Sequence, residues 1–239
     1  TAFSLALCQN MARSDGDILY FSAESTKESL ANRIITASSN VNSKTIKTAR
    51  LNQEEWIRYH AGVSNIMDLP LHIIDIAGID ISHAKAIANK FNRKKKIKAI
   101  FVDYIQLMTC KDSKNDFEAV SSISRGLKAM AKENDCPVIA LAQLSRGVEQ
   151  RPDKRPVMSD LRSTGQIEQD ADFISFLYRD EYYNDDSYDK GITELSIRKN
   201  REGETGKHFF KSDFSTMTYT EISYTEQPQK ETYKPFSRS

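Results

Sequence analysis

Lys98–Ala99–Ile100–Phe101–Val102–Asp103–Tyr104–Ile105–Gln106–Leu107–Met108 is the stretch that decides the fold. Four consecutive apolar residues, two of them β-branched, run straight into an aspartate. A short unbroken apolar run reads as a strand buried on both faces, the kind found inside parallel sheets. A carboxylate at the C-terminal end of such a strand stands where open α/β sheets bind their ligands. Aspartate also suits turns, so Asp103 taken alone decides nothing. Two other apolar runs end on a polar group in the same way: Glu24 follows ILYFSA and Gln143 follows PVIALA.

Working outward, residues 2–13 read as a helix and Asp17–Ser22 as a strand. Ser25 or Thr26 caps a helix that runs to about Ser38. Helical pieces follow near 43–50 and 52–67, the latter expected to turn Trp56 and Tyr59 inward. Leu71–Asp75 reads as a strand, Ser82 to about Lys95 as a helix, and Phe117–Glu133 as an amphipathic helix. Pro137–Ala142 is expected to be a buried strand. Residues 145–156 have no periodicity, two prolines and many charges, and read as a loop. Helical turns around 160–161 and 166–171 lead to a strand at Phe173–Tyr178. After a polar loop (180–190), strands are expected near 192–199, 205–211 and 216–221. Strands alternate with helices and then follow one another. This pattern predicts an α/β fold with a mostly parallel sheet and antiparallel C-terminal edge strands. From Thr225 onward apolar periodicity is lost, and residues 225–239 are expected to form a disordered tail.

The chain has 239 residues, 39% of them hydrophobic and 28% charged, enough for one large or two small domains with a proper core. Mean hydropathy is −0.56, the value of a polar globular chain. With 34 basic against 33 acidic residues there is no global field to attract a polyanion, so a nucleic-acid site must be local. Three well-separated cysteines without a C-x-x-C suggest reduced thiols and a cytoplasmic setting, with Cys8 and Cys136 as core filler. The four histidines have no metal-ligand spacing, and no apolar run is long enough to span a bilayer.

Glu24, Asp103 and Gln143 would share one rim of a parallel sheet. An acidic pair plus an amide there suits nucleoside-triphosphate hydrolysis: one carboxylate associates with Mg²⁺, a second takes the proton of the attacking water, and an amide senses the γ-phosphate.

The segments ILYFSAES, AIFVDYIQLM, ISRGLKAMAKE, PVIALAQLSR, KRPVMSDLRSTGQIEQDADFISFLYRDE and RKNREGETG resemble the C-terminal ATPase domain of DnaB-type replicative hexameric DNA helicases. The likeness runs from Thr1 to about Tyr224, and SDLRSTGQIEQDAD is its most specific part. It implies a RecA-like P-loop NTPase core working as a homo-hexamer on single-stranded DNA, moving 5′ to 3′, with ATP and Mg²⁺ between neighbouring subunits. Glu24 then resembles the catalytic base, Asp103 the Mg²⁺-associated aspartate and Gln143 the γ-phosphate sensor. Thr1 resembles the Mg²⁺-binding last residue of the phosphate loop. Primase and a helicase loader are partners by analogy alone.

Lys199 and Arg201 read, from the residues alone, as a solvated basic hairpin. The resemblance makes them a pair that reaches the neighbouring subunit's nucleotide, with Arg201 as an arginine finger worth roughly 10³–10⁵ in rate. It also makes residues 146–165 the DNA-contacting element, through Arg146, Arg151, Lys154, Arg155, Arg162, Ser163 and Gly165. That segment has no aromatic residue, so phosphate contacts and salt-sensitive, sequence-independent binding are expected rather than base stacking. Position 163 is serine where the family usually has glutamate. No G-x-x-x-x-G-K occurs in the 239 residues. The expectation is therefore that chain precedes Thr1 and that the intact mass exceeds 27.2 kDa. Two other readings stand beside this one: a different RecA-like ATPase of the recombinase or clock type, and a non-catalytic nucleotide- or DNA-binding ring subunit.

Overall fold

The computed structural model describes residues 1–14, 16–161 and 165–223. The expected tail and the expected DNA contacts Arg162 and Ser163 lie outside the described residues. Strands β1 (Asp17–Ser22), β2 (Leu71–Asp75), β3 (Ile97–Asp103) and β4 (Val138–Ala140) form a parallel sheet in the order β2-β1-β3-β4. Strands β5 (Phe173–Tyr178), β6 (Ile192–Asn200), β7 (Gly206–Asp213) and β8 (Thr218–Ile222) form an antiparallel meander. The parallel and antiparallel halves thus form as expected, hydrogen-bonded as two four-stranded sheets.

The two central strands of the parallel sheet carry the core, and their period of two sorts it onto two faces. Leu19, Phe21, Ile100 and Val102 face helices α5 (Ile81–Asn92) and α6 (Asp116–Asn134), where Ala84, Ala88, Ile123, Leu127 and Met130 are buried. Ile18, Tyr20, Ala99 and Phe101 face helices α1 (Ala2–Ala12) and α2 (Lys27–Ser39), against Leu5, Cys8, Leu30 and Ile34. Cys8 and Cys136 are buried free thiols, as expected of core filler.

The helices start where their caps dictate. Thr26 accepts from Ser29 N at α2, Asp80 from Ser82 N at α5, and Asn115 from Glu118 N at α6. Asn52 and Glu55 form a reciprocal capping box at α4 (Gln53–Met67). Between α2 and α4 lies the short helix α3 (Ser43–Thr48).

Two expectations fail. Trp56 is 42% exposed and does not pack inward. Helix α4 meets α2 at Gly62, where an added Cβ would stand 2.6–2.8 Å from Ser39. This close approach fixes the buried face and leaves Trp56 and Ile57 outside it. The PVIALA run is not a fully buried strand either. Only Val138–Ala140 pairs, at the sheet edge, where it is half-covered. Phe3 ties α1 to the second sheet, with edge-on contacts to Phe210 and Tyr219 at 5.4 and 5.3 Å.

Candidate nucleotide and DNA site

Parallel register sets the rim. Ser22 pairs with both Asp75 and Asp103, and Val102 with Ala140, so the strands finish level. Glu24 lies two residues past the end of β1, held there because Ala23 N donates to Asp103 O at 2.8 Å. Ser22 Oγ donates to Ser25 O at 2.6 Å and closes the turn that carries Glu24 outward. Glu24 is exposed and makes no side-chain hydrogen bond or ion pair among the described residues, so its carboxylate can take a proton from a bound water.

Asp103 is different. It is 2% exposed, and its Oδ2 accepts from the buried Tyr20 hydroxyl at 2.9 Å. Tyr20 Oη lies 3.0 Å from Ser4 Oγ, and Ser4 Oγ lies 2.7 Å from Thr1 O. Burial holds the Tyr20 phenol well above its ordinary value, so Tyr20 keeps its proton and serves as the donor to Asp103. Thr1 caps α1 without using its side chain. The Tyr20–Ser4 link thus places the start of α1 next to Asp103.

Gln143, three residues past β4, is exposed. Its backbone is clamped: its N–H donates to Gln106 Oε1 and its carbonyl accepts from Gln106 Nε2, both at 3.1 Å. Gln106 sits in the turn directly after Asp103, so the expected sensor is pinned to the expected metal-associated strand. Sequence reasoning missed Gln106, although it lies inside the stretch that decides the fold. Tyr20 and Ser4 were missed as well. Tyr20 gave no signal because a tyrosine within an apolar run reads as packing.

The fit to Mg²⁺ rests on donor chemistry. Asp103 Oδ1 and Thr1 Oγ1 are hard oxygens with no hydrogen-bond partner among the described residues, the type that Mg²⁺ takes.

Lys199 is the penultimate residue of β6 and Arg201 the first residue past its end. Arg201 is 50% exposed at the surface; it donates to Asp172 Oδ1 at 3.1 Å and to Gln169 O at 2.7 Å. Lys199 donates to Glu168 O at 2.5 Å. Glu168 and Gln169 belong to the short helix α7 (Gly165–Asp170), and Asp172 also pairs with Lys128 of α6. The Lys128 ammonium, ahead of any other neighbour, holds the Asp172 carboxyl below its usual range.

The basic loop does much of its work inside the chain. Arg151 grips the buried Asp160 with two hydrogen bonds of 3.1 and 2.7 Å and donates to Arg155 O at 3.0 Å. Asp160 Oδ2 also accepts from Val157 N at 2.8 Å. Lys154 donates to Glu149 O at 2.7 Å. Arg155 donates to the buried Glu194 of β6 at 3.0 Å and lies over the Tyr178 ring, 4.6 Å from its centre. Arg146 is exposed, with no side-chain partner among the described residues, and Gly165 is exposed at the start of α7. No group of three or more His, Cys, Asp or Glu among the described residues could hold a metal, and no helix there is long and apolar enough to cross a membrane.

A family model for the DnaB-like helicase C terminal domain matches residues 1–221. The chain is 41% identical over 209 residues to the replicative DNA helicase DnaB of Geobacillus stearothermophilus, covering 86% of this chain and 46% of that protein. Identity and coverage are the same with the replicative DNA helicase DnaC of Bacillus subtilis. The chain thus spans about half the length of these relatives. Among solved structures it resembles one described as an ATPase domain, with a TM-score of 0.89 and 37% identity, over 92% of this chain and 80% of that one. A structure described as a DnaB-like replicative helicase and its interactions with primase gives a TM-score of 0.88 and 38% identity, over 92% and 54%. By sequence match and fold alike, the chain belongs to the DnaB-like helicase C-terminal domain family.

Proposed function

We propose that this chain is the ATP-hydrolysing motor of a cytoplasmic replicative DNA helicase that works as a hexameric ring on single-stranded DNA, moving 5′ to 3′. The observation that carries the reading is the common rim, where the Ser22–Asp103 register brings an exposed, unpaired Glu24 beside a buried, anchored Asp103. A general base must be free to accept a proton and a metal-associated carboxylate must be held still; these two carboxylates differ in that way. The family membership and the 41% identity to proteins named replicative DNA helicases support the same reading.

In this mechanism Glu24 takes a proton from the water that attacks the γ-phosphorus, while the bond from that phosphorus to the β-phosphate oxygen breaks and ADP leaves. Asp103 and Thr1 would hold Mg²⁺, whose charge offsets that of the phosphates. Gln143 reports on the γ-phosphate to the loop that begins two residues later. Lys199 and Arg201 serve the nucleotide of the adjacent subunit.

DNA phosphates meet Arg146 and the 162–165 segment, including Arg162, Ser163 and the Gly165 backbone. Arg151, Lys154 and Arg155 shape the loop that presents them. Primase is a proposed partner because one structural relative is described with it, and a loader rests on the family alone.

The test is Glu24→Gln in the intact protein. Turnover with single-stranded DNA present should fall by about 10²–10⁴-fold, the usual contribution of a positioned base, while nucleotide binding persists. Unchanged DNA-stimulated turnover would remove Glu24 from the mechanism.

A further inference from the structure

We propose that Tyr20 is a positioning residue for the metal site: its hydroxyl fixes the Asp103 carboxylate so that Oδ1 alone is presented to Mg²⁺, and with Ser4 it ties that carboxylate to the start of α1. The inference rests on the reading of Asp103 given above. Tyr20 is fully buried on β1, and its ring lies nearly parallel to Phe101 of β3, 5.8 Å between centres. From that position the hydroxyl meets Asp103 Oδ2 at 2.9 Å and Ser4 Oγ at 3.0 Å.

Proton counting orders the chain. An ionised carboxylate only accepts, so Tyr20 uses its single proton on Asp103. The one proton of Ser4 then divides between Tyr20 Oη and Thr1 O, at 3.0 and 2.7 Å. Donation to Tyr20 polarises the phenol toward Asp103. Donation to Thr1 O instead anchors the backbone of the other proposed metal ligand. Either way Tyr20 holds Asp103, and Ser4 supports the phenol in one arrangement and the Thr1 backbone in the other, so the two hydroxyls serve both residues that would share one ion. Partners of this kind fix ligand orientation and tune metal affinity, and losing one typically costs about 10–100-fold.

A purely structural role would be met by the ring alone. Tyr20→Phe keeps the stacking on Phe101 and removes only the oxygen, which separates the two. The probe is a fluorescent ATP analogue bound to the intact protein, titrated with Mg²⁺ and also measured without metal. The Mg²⁺ concentration that half-maximally tightens binding should rise about tenfold in Tyr20→Phe, with metal-free binding unchanged. Ser4→Ala, which leaves Tyr20 and Asp103 intact, should shift it in the same direction by less; it also serves if Tyr20→Phe does not fold. Asp103→Asn is the control. If Asp103→Asn shifts the Mg²⁺ dependence while Tyr20→Phe and Ser4→Ala do not, the inference is overturned and the metal site stands. If Asp103→Asn leaves that dependence unchanged, the metal assignment fails and takes this inference with it.

Discussion

Arg155 separates two accounts of the basic loop, and its removal can be worked through in numbers. Its guanidinium donates to Glu194 at 3.0 Å; the Glu194 side chain is 6% exposed and that of Arg155 25%. Breaking a buried pair by deleting one partner costs about 3–5 kcal/mol, because the other charge stays buried without compensation. Here Lys207 stands 2.7 Å from Glu194 Oε1, but that oxygen accepts no aligned hydrogen bond, so Lys207 offers only partial Coulombic relief. About 2–3 kcal/mol is therefore expected for Arg155→Ala, some of it from lost packing on Tyr178. For a chain of this length that corresponds to a Tm about 5–10 °C lower. Lys207 is 42% exposed, and Lys207→Ala should cost less than about 1 kcal/mol. The assay is thermal unfolding at fixed protein concentration for Arg155→Ala, Glu194→Ala and the double variant. The double should fall short of the sum by about 2 kcal/mol, since the pair is lost only once. A Tm for Arg155→Ala within about 1 °C of the parent, together with weakened DNA binding, would refute the argument and return Arg155 to the DNA-contacting set.

Four further outcomes are expected. Arg201→Ala should be nearly inactive alone, yet mixed rings with Glu24→Gln should regain part of the ATPase rate, because each variant supplies what its neighbour lacks; no recovery at any ratio excludes a finger acting between subunits. Arg146→Ala should reduce the slope of log affinity for single-stranded DNA against log salt by about 0.7, one phosphate contact, and an unchanged slope places Arg146 away from the strand. Burial pushes the Cys8 thiol up to about 12 and Cys136 up to about 11, so at pH 8 a thiol reagent should modify only the partly exposed Cys110 until the fold is opened. Both buried thiols hold their protons more tightly than in the unfolded chain, where they titrate at about 8.5, so stability should decline as pH rises from there toward 11–12. Rapid modification of all three cysteines, or a melting temperature flat across that range, contradicts the burial.

The central strands were legible because a strand covered on both faces must be apolar throughout, and AIFV and ILYF leave few other readings. The same logic could not tell centre from edge: PVIALA is as apolar as AIFV, yet it pairs on the outside. Helix α4 misled through Trp56, because the buried stripe was set by the contact of Gly62 with Ser39 of α2, and not by the largest apolar residues on the helix. Glu24, Asp103 and Gln143 could be placed on one rim from strand ends alone, since parallel topology does the rest. Their supports could not. The hydroxyl of Tyr20 meets Asp103 only because β1 and β3 lie side by side, and Gln106 reaches Gln143 only after β3 and β4 pair. The loop arginines read as DNA contacts through the family resemblance, while the partners of two of them, Asp160 and Glu194, are known only once the loop and β6 are folded.

Magnitudes also decide whether the contacts of Arg201 lock it into its own subunit. To reach a neighbour's nucleotide it must leave Asp172 and the Gln169 carbonyl, while Lys199 leaves the Glu168 carbonyl. Asp172 is 56% exposed and Arg201 50%, so water replaces the lost ion pair, and the cost is no more than about 1 kcal/mol. Asp172 keeps Lys128 as a partner, so no carboxylate is stranded. Two solvent-facing hydrogen bonds add about 1 kcal/mol each. Against this, an arginine finger worth roughly 10³–10⁵ in rate represents about 4–7 kcal/mol of transition-state stabilisation. The tether is weaker than the task, so it holds the pair in place without preventing its transfer. Because its acceptors are backbone carbonyls of α7, which starts at Gly165 of the proposed DNA segment, any movement of that helix on binding a strand changes how readily both basic residues are released.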